Sequence, residues 1–177
     1  LPGFGIYENH GGTMSKKTVG NGDEREGKYL TFLLDKEEYG IHISNVREII
    51  GMMKITKVPR CPDFVKGVIN LRGKVIPVVD LRTRFGMAPV GTTDRTCIVV
   101  VEICRENEWL VIGLVVDSVS EVLAVKGADI EDAPSFGTRL DTRYILGMAK
   151  QNQGVKILLE IERVLDMHEM ASVESLV

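Results

Sequence analysis

Short apolar runs recur along most of this chain, and polar or turn-forming residues bound each one. YLTFLL (29–34), YGIHI (39–43), KVIPVV (74–79), TCIVVVEI (96–103), WLVIGLVV (109–116) and VKILLEI (155–161) are rich in Val, Ile and Leu, with Gly, Pro, Asn or Asp at their borders. Runs of that length and composition predict strands, and their spacing predicts a sandwich or barrel. The charged tetrapeptides Asp35-Lys36-Glu37-Glu38 and Arg105-Glu106-Asn107-Glu108 read as hairpin turns. GVINLRGKVIPVVDLRTRFG (67–86) reads as two buried strands joined at Asn70-Leu71-Arg72-Gly73, with Pro77 marking an edge or a bulge. Few helices are expected. Pro62 to Lys66 fits a single turn stopped by Gly67. Ile161, Val164, Leu165 and His168 form an amphipathic stripe, which predicts a short C-terminal helix. Residues 127–142 read as a long loop.

The pattern also repeats. GIHISNVREII (40–50) aligns with GLVVDSVSEVL (113–123), matching Gly, Val and Glu, and each segment holds a possible capping box, Asn45-x-x-Glu48 and Ser118-x-x-Glu121. With Gly67 set over Gly147, PVVDL (77–81) lies over ILLEI (157–161). An internal duplication predicts two similar small β-barrels, about 28–88 and 94–165, with a groove between them. Residues 1–27 are glycine-rich and polar and lack periodicity, which predicts a flexible segment. Met14-Ser15-Lys16-Lys17 reads as a natural start, making 1–13 an expression-derived leader. Residues 171–177 read as a tail.

Composition narrows the function classes. The 177 residues carry a net charge of −3, with 44% hydrophobic and 27% charged residues, an ordinary soluble balance. A nucleic-acid binder would show a basic stripe, and none is present. No apolar run approaches the roughly 20 residues of a membrane-spanning helix. Cys61, Cys97 and Cys104 are odd in number and irregular in spacing, so they read as buried thiols in a reducing cytoplasm rather than a disulfide framework or zinc site.

Catalytic chemistry is hard to find. Phosphate-loop, serine-elbow and zinc-protease motifs are missing. His42 and His168 read as structural residues, and Trp109 as a core residue with its N–H at the surface. Lys126, Arg82, Arg84, Arg139 and Arg143 read as solvated. Asp80 and Asp117 each follow a Val-Val pair, and a carboxylate at a strand end caps a turn more often than it catalyses. No cofactor or metal is implied. What remains is surface chemistry. In the turn, Gly73 can supply a positive φ, but Leu71 and Arg72 do not follow from turn geometry. An apolar residue beside an arginine that can bridge to a carboxylate is how compact interfaces are built.

NLRG between GVI and VIPVVDL, together with EEYGIHISNVREI (37–49), PDFVKGVINLRG (62–73) and VIGLVVDSVSEVL (111–123), resembles the CheW family of bacterial chemotaxis adaptors from about Tyr29 to Met170. The resemblance implies a mainly β fold, two five-stranded SH3-like barrels around a shared hydrophobic centre, spanning 28–170. It implies no catalysis. It implies two partners, the histidine kinase CheA and the cytoplasmic tip of methyl-accepting receptors. The protein would be a cytoplasmic monomer when isolated, recruited to receptor arrays at the membrane. Carried over by position, the receptor groove takes Val46, Glu48, Arg72 and Val119, with Leu71 beside Arg72 at the turn, and Glu48 pairs with Arg72. The rivals are a CheW-like regulatory domain of a kinase or receiver fusion, an SH3-like module that binds nucleic acid, and a small hydrolase using Asp80 and Asp117.

Overall fold

A computed structural model describes residues 22–134, 142–152 and 154–165. It contains two sheets. β1 (Gly27–Leu34), β2 (Glu37–His42), β3 (Val46–Gly51), β4 (Val65–Leu71), β5 (Lys74–Asp80) and the four-residue helix α1 (Leu81–Arg84) make the first half. β6 (Cys97–Arg105), β7 (Glu108–Val116), β8 (Ser118–Val125), β9 (Ile130–Glu131), β10 (Ile145–Gln151), β11 (Gly154–Leu159) and α2 (Ile161–Val164) make the second. Strand order is β3-β6-β7-β5-β4 in a five-stranded sheet and β8-β1-β2-β11-β10-β9 in a six-stranded one.

Each sheet therefore draws on both halves of the chain. The hairpin β1–β2 joins strands of the second half, and the hairpin β6–β7 joins strands of the first. The sheets cut across the division at 88/94 drawn from internal similarity, because each half gives its first hairpin to the other.

The registers of the two sheets coincide position by position. Val101 lies opposite Val46 and Val100 opposite Glu48, with a bulge between. Phe32 lies opposite Val119 and Thr31 opposite Glu121, with a bulge between. Val78 runs parallel to Gly113 as Leu158 does to Gly40. Bulges precede Gly67 and Gly147 alike. The counterpart of β9 is a single bridge, Thr56 to Val68, which is why one sheet counts six strands and the other five.

The packing explains the apolar runs. In β6, Val99, Val101 and Ile103 join a central cluster shared by both sheets, while Ile98 and Val100 enter a second cluster on the opposite face. Both faces are buried, so the strand reads as a continuous apolar run rather than an alternating one. A third cluster, around Tyr29 and Leu158, is the counterpart in the six-stranded sheet. Burying each such aliphatic side chain contributes roughly 1.5–3 kcal/mol, so these three clusters are the main favourable term. Where the repeats meet, the Arg84 guanidinium lies 4.6 Å from the Phe64 ring and 5.0 Å from that of Tyr144, and its Nε donates to the Val164 carbonyl at 2.8 Å.

Several local expectations change. Asn45-x-x-Glu48 and Ser118-x-x-Glu121 open strands, not helices. The alternation of VREIIG, whose Ile50 faces the core while Ile49 is exposed, outweighs the cap signal. Pro77 sits in an interior strand, one residue before the parallel ladder to β7 begins, so its missing N–H breaks no rung there. Pro62 starts a turn closed by Val65 N–H, and the chain then enters β4 directly. Gly67 stops no helix. Its φ is 142°, and a Cβ there would collide with the Thr56 carbonyl. The stretch read as a loop holds a 3-10 turn (Gly127–Asp129) and β9. His168, Arg139 and residues 1–21 lie outside the described residues.

Candidate functional site

The β4–β5 turn is a two-residue hairpin closed by Leu71 opposite Lys74. Arg72 (φ 50°) and Gly73 (φ 85°) both take positive φ, the type I′ pattern that matches strand twist. Asn70 Oδ1 accepts from the Gly73 N–H at 2.8 Å and steadies the bend. The sequence reading assigned the positive φ to Gly73 alone. Arg72 shares it, in a conformation that costs a non-glycine residue on the order of 1 kcal/mol. Leu71 is half-buried against the second cluster and anchors the turn from inside. The turn thus separates its two conspicuous residues, leucine inward and arginine outward.

Arg72 reaches across to β3. Nη1 donates to Glu48 Oε1 and Nη2 to Glu48 Oε2, both at 2.6 Å, a bidentate fork. The Arg72 side chain stays 71% exposed while Glu48 is 24% exposed. These hydrogen bonds hold the Glu48 carboxyl below the usual range and raise the Arg72 guanidinium. The carboxylate thus fixes one edge of the guanidinium, and the rest faces solvent.

Val46 and Val119 stand at matching register positions on β3 and β8, each at one edge of its sheet. Both are partly buried against the central cluster. The five residues singled out therefore divide in three. Glu48 and Arg72 meet directly, Val46 and Val119 occupy equivalent edge positions, and Leu71 supports the turn.

The other candidates resolve into structural roles. Asp80 is buried. Its carboxylate caps α1 by accepting from Arg82 N–H and lies 3.3 Å from Lys66 Nζ. Asp117 binds Arg82 through Nε at 2.8 Å and Nη2 at 2.6 Å, and also accepts from the Asp35 N–H at 2.8 Å. The two carboxylates serve different cations. Arg82, expected to be solvated, is only 11% exposed, and its Nη1 donates to the Ala88 carbonyl. It links α1 to the start of β8, a long-range partnership that no local pattern signals. Hydrogen bonds from Arg82 hold the Asp117 carboxyl below its ordinary value. His42 Nδ1 accepts from the Ser44 N–H and caps the 3-10 turn that follows β2. Cys61 and Cys97 are half-buried and Cys104 is exposed. Trp109, expected in the core, is 65% exposed opposite Cys104, because the tip of the β6–β7 hairpin runs past the ladders to β3 and β5. Among the described residues no cluster of His, Cys, Asp or Glu could hold a metal, and no helix is long and apolar enough to cross a membrane.

Comparison with known proteins places this arrangement. The CheW-like domain family matches residues 28–169. The chain is 39% identical to the chemotaxis protein CheW of Klebsiella aerogenes over 166 residues, covering 92% of this chain and 94% of that protein. It is 34% identical to the chemotaxis protein CheW of Bacillus subtilis over 146 residues, covering 82% and 90%. The crystal structure of the scaffolding protein TtCheW from Thermoanaerobacter tengcongensis aligns with a TM-score of 0.70 at 37% identity, covering 80% of this chain and 93% of that one.

Proposed function

The chain belongs to the CheW family, and from that premise we propose that it is a non-catalytic adaptor coupling methyl-accepting chemoreceptors to the histidine kinase CheA. The observation that carries this reading is the Glu48–Arg72 fork. A bidentate pair holds an exposed guanidinium at the tip of a rigid turn, beside an edge strand bearing Val46. A receptor-tip helix presenting apolar anchors would lie against Val46 and Val119, the helix-in-groove mode, with Arg72 meeting a polar group on its flank. Leu71 keeps the turn in place. The kinase would bind another face, and the bridge would control it by favouring one relative orientation of receptor and kinase. This places the working protein in the cytoplasm, at membrane-associated receptor arrays.

An NMR titration of isotope-labelled protein with a soluble receptor-tip hairpin tests the reading. Shifts should concentrate around Val46, Glu48, Arg72 and Val119. Val119→Glu, which places an unpaired charge in an apolar contact, should abolish them. A hairpin that moves no resonance of the wild-type protein, or binds Val119→Glu unchanged, would contradict the assignment.

A further inference from the structure

The two sheets differ sharply at one place outside the Glu48–Arg72 fork. At the six-stranded sheet, Arg25, just ahead of β1, packs against β10. Its Nη1 donates to Asp132 Oδ1 at 2.7 Å and to the Leu146 carbonyl at 3.2 Å, and Asp23 grips the same guanidinium through Nε and Nη2. The Tyr29 hydroxyl donates to the Arg25 carbonyl and fixes the segment to β1. These hydrogen bonds lower the Asp23 carboxyl to about 2, so the clamp stays charged at any physiological pH.

Matching strand registers put Lys57 at the place of Asp132 and Lys66 at that of Leu146. Here the five-stranded sheet has a cavity of about 620 Å³, open to solvent, where the six-stranded one has the arginine clamp. Met52, Ile55 and Val58 form an apolar wall, with Val65 and the Lys66–Asp80 pair also lining it. Lys57, Arg60 and Asp63 stand exposed at its rim. Asp80 is already held by Lys66 and by the α1 cap, while Lys57 and Arg60 make no ion pair among the described residues.

The volume falls in the range of ligand sites, roughly 300–1,000 Å³. The charge that meets the incoming group is the reverse of that at the other sheet, where a carboxylate receives an arginine. Methionine adapts its shape to whatever it covers, which suits Met52 and Met53 to a docking surface. We propose that this cavity docks an acidic peptide segment of a protein partner, its carboxylate meeting Lys57 and Arg60 and a neighbouring aliphatic side chain covering Met52, Ile55 and Val58. The site does not depend on the receptor groove.

The test uses the full chain with methyl-labelled methionine. The probe is the blocked peptide acetyl-Leu-Glu-Glu-Leu-amide, and its control replaces both Glu with Gln. The acidic peptide should shift the Met52 and Met53 methyls saturably, with a Kd on the order of millimolar, and leave Met148 unmoved. The Gln control should bind at least about tenfold more weakly. The double variant Lys57→Glu/Arg60→Glu, altered only at exposed positions, should lose the response while its Met148 resonance reports an intact fold. Unmoved Met52 and Met53 at about 10 mM peptide, equal binding of the Gln control, or an unaffected double variant would overturn the proposal.

Discussion

Glu48 and Glu121 occupy the same position in the two sheets, opposite Val100 and Thr31 respectively, yet they are neutralised in opposite ways. Glu48 is met by Arg72 from an exposed turn. Glu121 is met by Lys156 from within β11, at 3.2 Å, and the same ammonium lies 2.7 Å from Glu38. Lys156 is only 13% exposed. It takes the place that Ile76 fills in the core of the five-stranded sheet. Burial works against its charge, but hydrogen bonds to Glu38 and Glu121 prevail and raise its pKa. Thr31, buried, stands where the other sheet has Val100, and its hydroxyl donates to the Glu121 carbonyl. One backbone thus supports, in one sheet, a half-buried lysine shared by two carboxylates nearer the surface and, in the other, an apolar interior with a surface fork. The lysine is drawn into the fold. The arginine of the fork keeps most of its side chain in solvent.

The largest effect that separates the halves should come from their paired glycines. Gly67→Ala forces a Cβ into the Thr56 carbonyl at a φ of 142°, backbone against backbone, and should cost roughly 3 kcal/mol or more. Gly147→Ala keeps an ordinary φ and meets the Ile130 Cγ2 methyl, with Arg25 Nη1 and the Glu131 carbonyl just beyond, so it should cost less, roughly 1–2 kcal/mol. Urea denaturation of both variants checks this, and equal losses would break the contrast.

Next in size is Lys156→Ala. It leaves Glu38 and Glu121 without their shared cation, and because both carboxylates reach solvent it should lower stability by only about 1 kcal/mol, with receptor binding unchanged. Thermal melts alongside a binding assay separate the two effects.

Smaller still is an acid effect from Asp117. Its carboxyl titrates lower when folded than when unfolded, because Arg82 hydrogen-bonds the anion. The stability this provides is complete above the ordinary Asp value near pH 4 and fades as pH falls through the lower folded value. Melting temperature should therefore drop below about pH 4, and Asp117→Asn should remove part of that dependence while lowering stability at neutral pH. A variant with the full wild-type acid slope would show that Arg82–Asp117 is not the sensitive pair.

Much of the strand content was legible in the sequence because β6, β7 and β5 are long apolar runs, buried in the structure on both faces. β3 and β8 were obscured, since Asn45 and Ser118 imitate helix caps three residues before a glutamate. The exchange of hairpins between sheets left no local trace. It depends on which edge β1 and β6 pair with, a long-range choice that periodicity does not record. At the candidate site, the Arg72–Glu48 pairing was legible through the family motif, and Leu71 was not, because a leucine beside a turn reads the same whether it faces in or out. Arg82 was missed for a related reason. Its partner Asp117 lies 35 positions away, and only the fold brings them together.

The most direct test rests on Asn152, which holds in the β10–β11 turn the place of Arg72, with φ 51° against 50°. Arg72→Asn gives the first turn the residue the second already uses, and asparagine before glycine suits a type I′ hairpin. Melting temperature and receptor-tip affinity should be measured together on this variant. Arg72 as a partner-facing residue predicts an unchanged or higher melting temperature with receptor binding lost. A lowered melting temperature with binding retained would make the fork a structural tie and contradict the account.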